Sequence, residues 1–153
     1  TIGLLRVKGP VGCRYLADER QKDYVKNGWN LTGDTFIRDD DGYFYYQSRR
    51  DDMIVSSGYN ISAMEIEELL TSHPNVSECA VIGVPDPERG QVVKAFVVLK
   101  KHGLLDRDEQ IKELQNYVKN SVAPYKYPRR IEFIDRLPRT DTGKLQRFRL
   151  RES

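Results

Sequence analysis

The chain is poor in cysteine, methionine and tryptophan, with two Cys, two Met and one Trp in 153 residues. Cys13 and Cys79 lie far apart and belong to no Cys-x-x-Cys pair or Cys/His cluster, which excludes a disulfide scaffold and a structural zinc site and leaves two inert thiols. Histidine is equally scarce: His73 sits at a helix end before Pro74 and His102 in a turn, and neither has the setting of a catalytic base. Long apolar runs are missing, since Ala95 to Leu99 stops after five residues, against roughly 18 to 20 for a membrane span. No signal peptide opens the chain, so a cytoplasmic setting is expected. An excess of one charge is missing as well. Lys and Arg number 25 against 23 Asp and Glu, a net of +2 that gives no whole-chain attraction for nucleic acid or an acidic membrane. There are no internal repeats or low-complexity segments.

What is present is a globular mixture, 39% hydrophobic and 31% charged. Thr1 opens directly into the strand-like Ile2 to Lys8 without an initiator methionine, which reads as part of a larger polypeptide. That strand stops at Gly9-Pro10; a helical stretch from Glu19 to Lys26 follows, with Asn27-Gly28 as its C-terminus. Thr35 to Arg38 and Tyr43 to Gln47 flank the acidic turn Asp39 to Gly42 and predict a hairpin. The aromatics Tyr43, Phe44, Tyr45 and Tyr46 read as two faces of its second strand rather than as a base-stacking platform. Residues 1–50 form a small β-rich segment on this reading, and residues 51–153 a small α/β domain. Ser62 and Glu65 form a capping box ahead of Met64, Ile66, Leu69 and Leu70, while Asp106 and Glu109 open a helix bearing Ile111, Leu114, Tyr117 and Val118. With strands at Val76 to Val84, Gln91 to Lys100 and Arg130 to Asp135, the order after Asp52 is β, α, β, β, α, β. The expected fold class is α/β (α+β), a short mixed sheet flanked by helices.

Three clusters carry chemistry. Thr32-Gly33-Asp34 reads as a turn with a carboxylate at the start of a strand, placed to accept both hydroxyls of a ribose. Arg49-Arg50-Asp51-Asp52 is a charged, turn-prone stretch between compositionally different units, where a few exposed backbone angles absorb a rigid-body rotation; Gly58, just beyond, lets the backbone pass close to a ligand. The third is Pro138-Arg139-Thr140-Asp141-Thr142-Gly143-Lys144. It is no P-loop, because that pattern needs glycine where Pro138 stands. What remains is a lysine on a glycine turn, a point charge able to bridge a carboxylate and a phosphate oxygen. It lies in a C-terminal stretch, from Tyr125 on, with nine basic residues against four acidic ones.

In this order the Thr-Gly-Asp turn, the Arg-x-Asp-Asp stretch, Gly58-Tyr59-Asn60-Ile61 before Glu65-Ile66-Glu67, and Pro-Arg-Thr-x-x-Gly-Lys resemble the adenylate-forming superfamily of acyl- and aryl-CoA ligases, peptide-synthetase adenylation domains and luciferases. The resemblance covers essentially the whole chain. It implies the C-terminal end of a large AMP-binding domain followed by a complete, mobile C-terminal domain, with the rest of the large domain upstream. It further implies activation of a carboxylic acid by ATP, rotation of the small domain and transfer to CoA. Carried onto this chain, Asp34 holds the ribose of ATP, Arg49 supports the same nucleotide, Asp51 is the hinge, and Lys144 is the catalytic lysine of adenylation. Gly58 lines the pantetheine tunnel, and Tyr125, Lys126 and Arg129 meet the CoA nucleotide. Magnesium is implied by the use of ATP, with no ligand for it in this chain.

Ser48, Val55 and Asn60 depart from the commoner glycine, lysine and arginine of such enzymes, which leaves extra phosphate contacts from that loop unsupported. Gly58-Tyr59-Asn60, the run Gly12 to Asp18 and Gly28-Trp29-Asn30 look most like benzoate or 2-aminobenzoate CoA ligases. Medium-chain fatty acid ligases are the alternative, as are carrier-protein-loading adenylation domains, which the chain's end at Ser153 argues against. An alternative of another class is a non-catalytic RNA- or protein-binding module, since an RNA-recognition fold shares the strand order; that fold wants several exposed rings on the sheet, and Val92 to Leu99 offers only Phe96. The chain alone is expected to be inactive.

Overall fold

A computed structural model describes residues 2–10, 21–100 and 106–152. Two compact units are present, 1–51 and 52–153.

In the first unit, strands β1 (Ile2–Val7), β2 (Val25–Lys26) and β4 (Phe44–Arg49) all pair antiparallel with β3 (Trp29–Arg38), and the single helical turn α1 (Gln21–Tyr24) precedes β2. The expected Asp39 to Gly42 hairpin is present, closed by Asp39 Oδ1 accepting from the Tyr43 amide at 2.8 Å. Asn27-Gly28 does not end a helix. It is the two-residue turn of a hairpin in which Lys26 faces Trp29, with φ of 52° and 76°. The dipeptide suits a helix C-terminus and a primed hairpin turn alike, and the pairing of Val25 with Asn30 decides for the hairpin. Glu19, Arg20 and the run Gly12 to Asp18, Cys13 included, lie outside the described residues.

Thr32-Gly33-Asp34 is likewise not a turn but a bulge inside β3. Leu4 faces Thr35 and Arg6 faces Leu31, so one residue of β1 opposes three of β3. The Thr32 hydroxyl fills the broken ladder, donating to the Leu5 carbonyl and accepting from the Asp34 amide, both at 3.1 Å. Gly33 makes the bulge possible: its φ is 79°, and a Cβ there would meet Arg49 Nη2 at 3.3 Å. The four aromatics from Tyr43 to Tyr46 are all exposed, and Phe44 and Tyr46 lie edge-on to Phe36.

The second unit contains β5 (Met53–Ser56), β6 (Tyr59–Ser62), α2 (Ala63–Thr71), β7 (Val76–Asp86), β8 (Gly90–Leu99), α3 (Arg107–Ser121), β9 (Arg130–Phe133) and α4 (Arg147–Arg151). Its five-stranded sheet is mixed: β6-β5-β8-β7 are antiparallel neighbours, and β9 runs parallel to β8. The expected order gains one strand because the stretch from Met53 to Ile61 is itself a hairpin. Ile54 and Ile61 are buried cross-strand partners, an alternation hidden in the sequence by charged flanks.

The core has two layers. Val81, Ala95 and Val97 on one face of the sheet pack under Ile66 and Leu70 of α2 and Leu114 and Val118 of α3. Ala80, Ile82 and Phe96 on the other face pack under Leu137 and Leu150. Phe96, 1% exposed, is therefore core rather than a stacking ring, and the RNA-recognition alternative loses its platform. Ser62 does occupy the N-cap of α2 but makes no side-chain cap bond, and Glu65 pairs with Lys126, so the capping box is not formed. No helix among the described residues is long and apolar enough to cross a membrane.

Cys79 fits the inert-thiol expectation. Its Sγ donates to the Glu67 carbonyl at 3.2 Å, and burial pushes the thiol up from 9.0 to about 11, opposed by the Thr71 hydroxyl bond and the Arg147 charge and reinforced by Glu67. Only about one part in 10³ is thiolate at pH 8, so a Cys13→Ser chain is expected to react with an aromatic disulfide reagent at least about 10²-fold more slowly folded than in denaturant. Comparable rates would mean that the site opens freely.

Candidate functional site

In the first unit the bulge aims Asp34 at its cross-strand partner Arg49, with Asp34 Oδ1 3.6 Å from Arg49 Nε. The two residues that the resemblance assigns to one nucleotide are thus neighbours in space. Both are substantially exposed, and an exposed ion pair contributes only about 0 to 1 kcal/mol, so stability does not account for the elaborate backbone beneath it. The pair offers a carboxylate for vicinal hydroxyls beside a guanidinium for an anion. Asp51, expected as the hinge, closes this unit in the 3-10 turn Arg50–Asp52.

In the second unit the residues expected at the site fall on two surfaces. Ser57 and Gly58, at φ 49° and 81°, form the tip of the β5–β6 hairpin, and a Cβ built on Gly58 meets no heavy atom within 4 Å. Tyr59 stacks on Tyr125 with centroids 4.4 Å apart and planes 21° from parallel, which brings the Gly58 tip beside the 3-10 turn Pro124–Lys126. Lys126 Nζ donates to both oxygens of Glu65 at 2.7 and 2.8 Å, so an incoming anion competes with a carboxylate for it. Arg129 lies over the Tyr127 ring and donates to its hydroxyl at 2.9 Å, holding a flat cationic face at the end of the same segment. Tyr59 enters the sequence reading only as part of the Gly58-Tyr59-Asn60-Ile61 motif, with no role of its own.

Lys144 is elsewhere. Its turn is sealed by Thr140 N to Lys144 O at 2.8 Å, Gly143 N to Thr140 O at 2.8 Å and Lys144 N to Thr140 Oγ1 at 3.0 Å. Arg139 ties the turn down, donating to the Gly143 carbonyl at 2.9 Å and pairing with Glu78. The Lys144 side chain is exposed, and no carboxylate pairs with its ammonium among the described residues. Because Leu137 and Leu150 cover the sheet face opposite α2 and α3, the lysine segment packs on the other side of the sheet from the two helices.

Past the turn, Arg147 Nη2 donates to Glu67 Oε1 and Oε2 at 2.8 and 2.6 Å, and Arg147 Nη1 lies 3.6 Å from Asp52. Sequence spacing gave no sign of these partners, which are 80 and 95 residues away from Arg147. No group of three or more His, Cys, Asp or Glu among the described residues is placed to hold a metal ion.

Residues 65–144 match the family described as the AMP-binding enzyme C-terminal domain. The chain is 54% identical over 129 residues to the mitochondrial acyl-coenzyme A synthetase ACSM2B of Homo sapiens, covering 84% of this chain and 22% of that one. It is 50% identical over 134 residues to the uncharacterized acyl–CoA ligase YtcI of Bacillus subtilis, covering 88% and 25%. Among solved structures, ATP-bound MatB from Rhodopseudomonas palustris aligns with a TM-score of 0.84 at 34% identity, and the anthranilate CoA ligase AuaEII in complex with anthranoyl-AMP with 0.81 at 38%. Each alignment covers 99% of this chain and 30% of the solved one. The chain thus spans about a quarter of the length of the curated relatives it matches.

Proposed function

Because the chain belongs to the AMP-binding enzyme C-terminal domain family, we propose that it is the C-terminal portion of an ATP-dependent acid–CoA ligase, residues 1–50 ending the large domain and 51–153 forming the mobile one. The observation that carries this reading is the placement of an exposed lysine and of the Gly58–Tyr125 surface on different parts of one small unit. Two half-reactions that use one unit in two orientations need such an arrangement.

In the first half-reaction a carboxylate oxygen of the acid attacks the α-phosphorus of ATP, the bond to the β-phosphate oxygen breaks, and pyrophosphate leaves. Lys144 faces the charge gathering between carboxylate and α-phosphate. Asp34 accepts from the ribose hydroxyls, and Arg49 keeps that carboxylate oriented. After a pivot at Asp51, Gly58 lines the approach of the pantetheine arm, while Tyr125, Lys126 and Arg129 hold the CoA nucleotide. The CoA sulfur attacks the acyl carbonyl, the carbonyl–phosphate bond breaks, AMP leaves, and the thiol proton passes to solvent. Magnesium, when bound, would screen the ATP phosphates; no residue of this chain is assigned to it. The chain alone lacks the rest of the large domain, and thioester formation by the isolated chain would overturn this part of the reading.

An aromatic acid, benzoate or 2-aminobenzoate, is the proposed substrate, supported by the Gly58-Tyr59-Asn60 sequence and by the likeness to an anthranilate CoA ligase. A medium-chain fatty acid is the second reading, favoured by the higher identity to acyl-coenzyme A synthetases. Acid-dependent exchange of pyrophosphate into ATP by the full-length protein, with benzoate, 2-aminobenzoate and octanoate, separates them. At least a tenfold preference in kcat/KM for an aromatic acid supports the first, the reverse preference supports the second, and no exchange with any acid removes both. The cytoplasmic setting is carried as a proposal, to be tested by imaging the tagged full-length protein because the human relative is named mitochondrial.

A further inference from the structure

The tie between Arg147 and Glu67 is built more carefully than a surface ion pair needs. Glu67 lies on α2, on one side of the sheet, and Arg147 opens α4, on the other. Val81 sits in β7, whose neighbour in the sheet is β8 alone, and its N–H donates at 2.8 Å to Glu67 Oε1 rather than to a strand. Glu67 therefore caps the sheet edge and grips a guanidinium coming round from the far face, with both its oxygens engaged. Asp52 completes the cage: Oδ2 lies 3.6 Å from Arg147 Nη1, and Oδ1 accepts from Arg151 Nη2 at 3.1 Å. The side chains of Glu67, Asp52 and Arg147 are 14%, 19% and 24% exposed, which distinguishes the group from a solvated pair.

What this cage holds is the Lys144 turn. Arg147 follows Lys144 by three positions, and residues 141 to 144 are themselves exposed. The turn is moored at its N-terminal side by Arg139 to Glu78, and at its C-terminal side by Gln146 N to the Pro138 carbonyl and by Arg147 in the cage. At the other end of the cage, Asp52 is the first residue after Asp51.

Resting on the reading of Lys144 given above, we propose that Arg147 is a positioning residue for adenylation. Clamped by Glu67 and Asp52, it fixes the Lys144 turn to the first residue of the second unit, so that a pivot at Asp51 delivers the ammonium to one place. A flat guanidinium suits this task, since with Nη2 on both oxygens of Glu67 and Nη1 toward Asp52 it spans two carboxylates in one rigid plane, and a lysine at the same position keeps the charge without that span.

The test uses the full-length protein with Arg147→Lys, Glu67→Gln and Lys144→Ala, and the double variant of Lys144→Ala with Arg147→Lys. Glu67→Gln keeps an acceptor for Val81 N–H and removes the charge facing Arg147. Adenylation and thioester formation from preformed acyl-adenylate are measured separately, with thermal unfolding as a fold control. Arg147→Lys and Glu67→Gln are each expected to lower kcat of adenylation at least about tenfold, with KM for ATP within threefold and the thioester half-reaction within threefold. In the Lys144→Ala background, Arg147→Lys is expected to lower adenylation no further, since the two residues act as one device. Equal losses in both half-reactions, or a full further loss in the double variant, would make Arg147 merely structural and overturn the proposal. Should a variant fail to fold, amide exchange of residues 140 to 145 in whichever of Arg147→Lys and Glu67→Gln does fold decides: faster exchange there than in the rest of the unit supports the clamp, and unchanged exchange refutes it. If Lys144→Ala leaves adenylation intact, the reading of Lys144 fails and the proposal with it. If Lys144→Ala abolishes adenylation while Arg147→Lys is fully active, the positioning role alone fails.

Discussion

Replacing Lys144 by alanine in the full-length protein is expected to lower acid-dependent ATP–pyrophosphate exchange by about 10² to 10³, the usual cost of removing one donor aimed at developing charge. Thioester formation from preformed acyl-adenylate is expected to change less than about threefold. The asymmetry follows from where the side chain sits. It stands on a turn closed by its own backbone and by Thr140, so truncation removes a charge without removing a fold contact. No acidic partner among the described residues is left uncompensated, so the change in unfolding temperature is expected to be small. A Lys144→Arg variant sharpens the result. Its charge survives but its fork is longer and flatter, so recovery of much less than the full rate indicates that the place of the ammonium matters and not only the local potential. Equal loss in both half-reactions would instead indicate a role common to both, and no loss in either would remove Lys144 from the chemistry.

The placement of these residues was legible in the sequence to different depths. Helix faces were readable because their period is local: Ile66 and Leu70 of α2 and Leu114 and Val118 of α3 are buried where apolar spacing puts them. The β7–β8 pair was readable from its apolar runs. The β5–β6 hairpin was not, because two four-residue strands joined by Ser57-Gly58 alternate too briefly to stand out beside Arg49-Arg50-Asp51-Asp52. Asn27-Gly28 misled because one dipeptide serves two geometries, and only Val25 and Asn30 meeting across strands chooses between them. At the site, sequence order supplied Asp34, Arg49, Gly58 and Lys144 singly. Their supports were invisible, because Glu67 to Arg147, Glu65 to Lys126 and Tyr59 to Tyr125 are contacts between residues 80, 61 and 66 positions apart. Such pairs are set by packing of whole elements and leave no local periodicity.

The complementary expectation concerns the other surface. Gly58→Leu is expected to reduce thioester formation from preformed acyl-adenylate by at least about tenfold while leaving ATP–pyrophosphate exchange within threefold, the reverse of the Lys144 pattern. The backbone at φ 81° charges an L residue about 1 to 2 kcal/mol for the left-handed conformation, and the empty space around its Cβ position adds no clash within the unit. Fold loss is therefore modest, and the added side chain projects into the approach proposed for the pantetheine arm. Gly58→Ala isolates the two effects, since it carries the same backbone strain with one carbon of bulk. If alanine behaves like leucine, strain transmitted to the Tyr59–Tyr125 stack is the cause and Gly58 matters through the hairpin; if alanine is near wild type and leucine is not, occupied space is the cause. A leucine that leaves thioester formation unchanged would mean that the arm does not pass the hairpin tip, and Tyr125, Lys126 and Arg129 would then lose the neighbour that places them on its path.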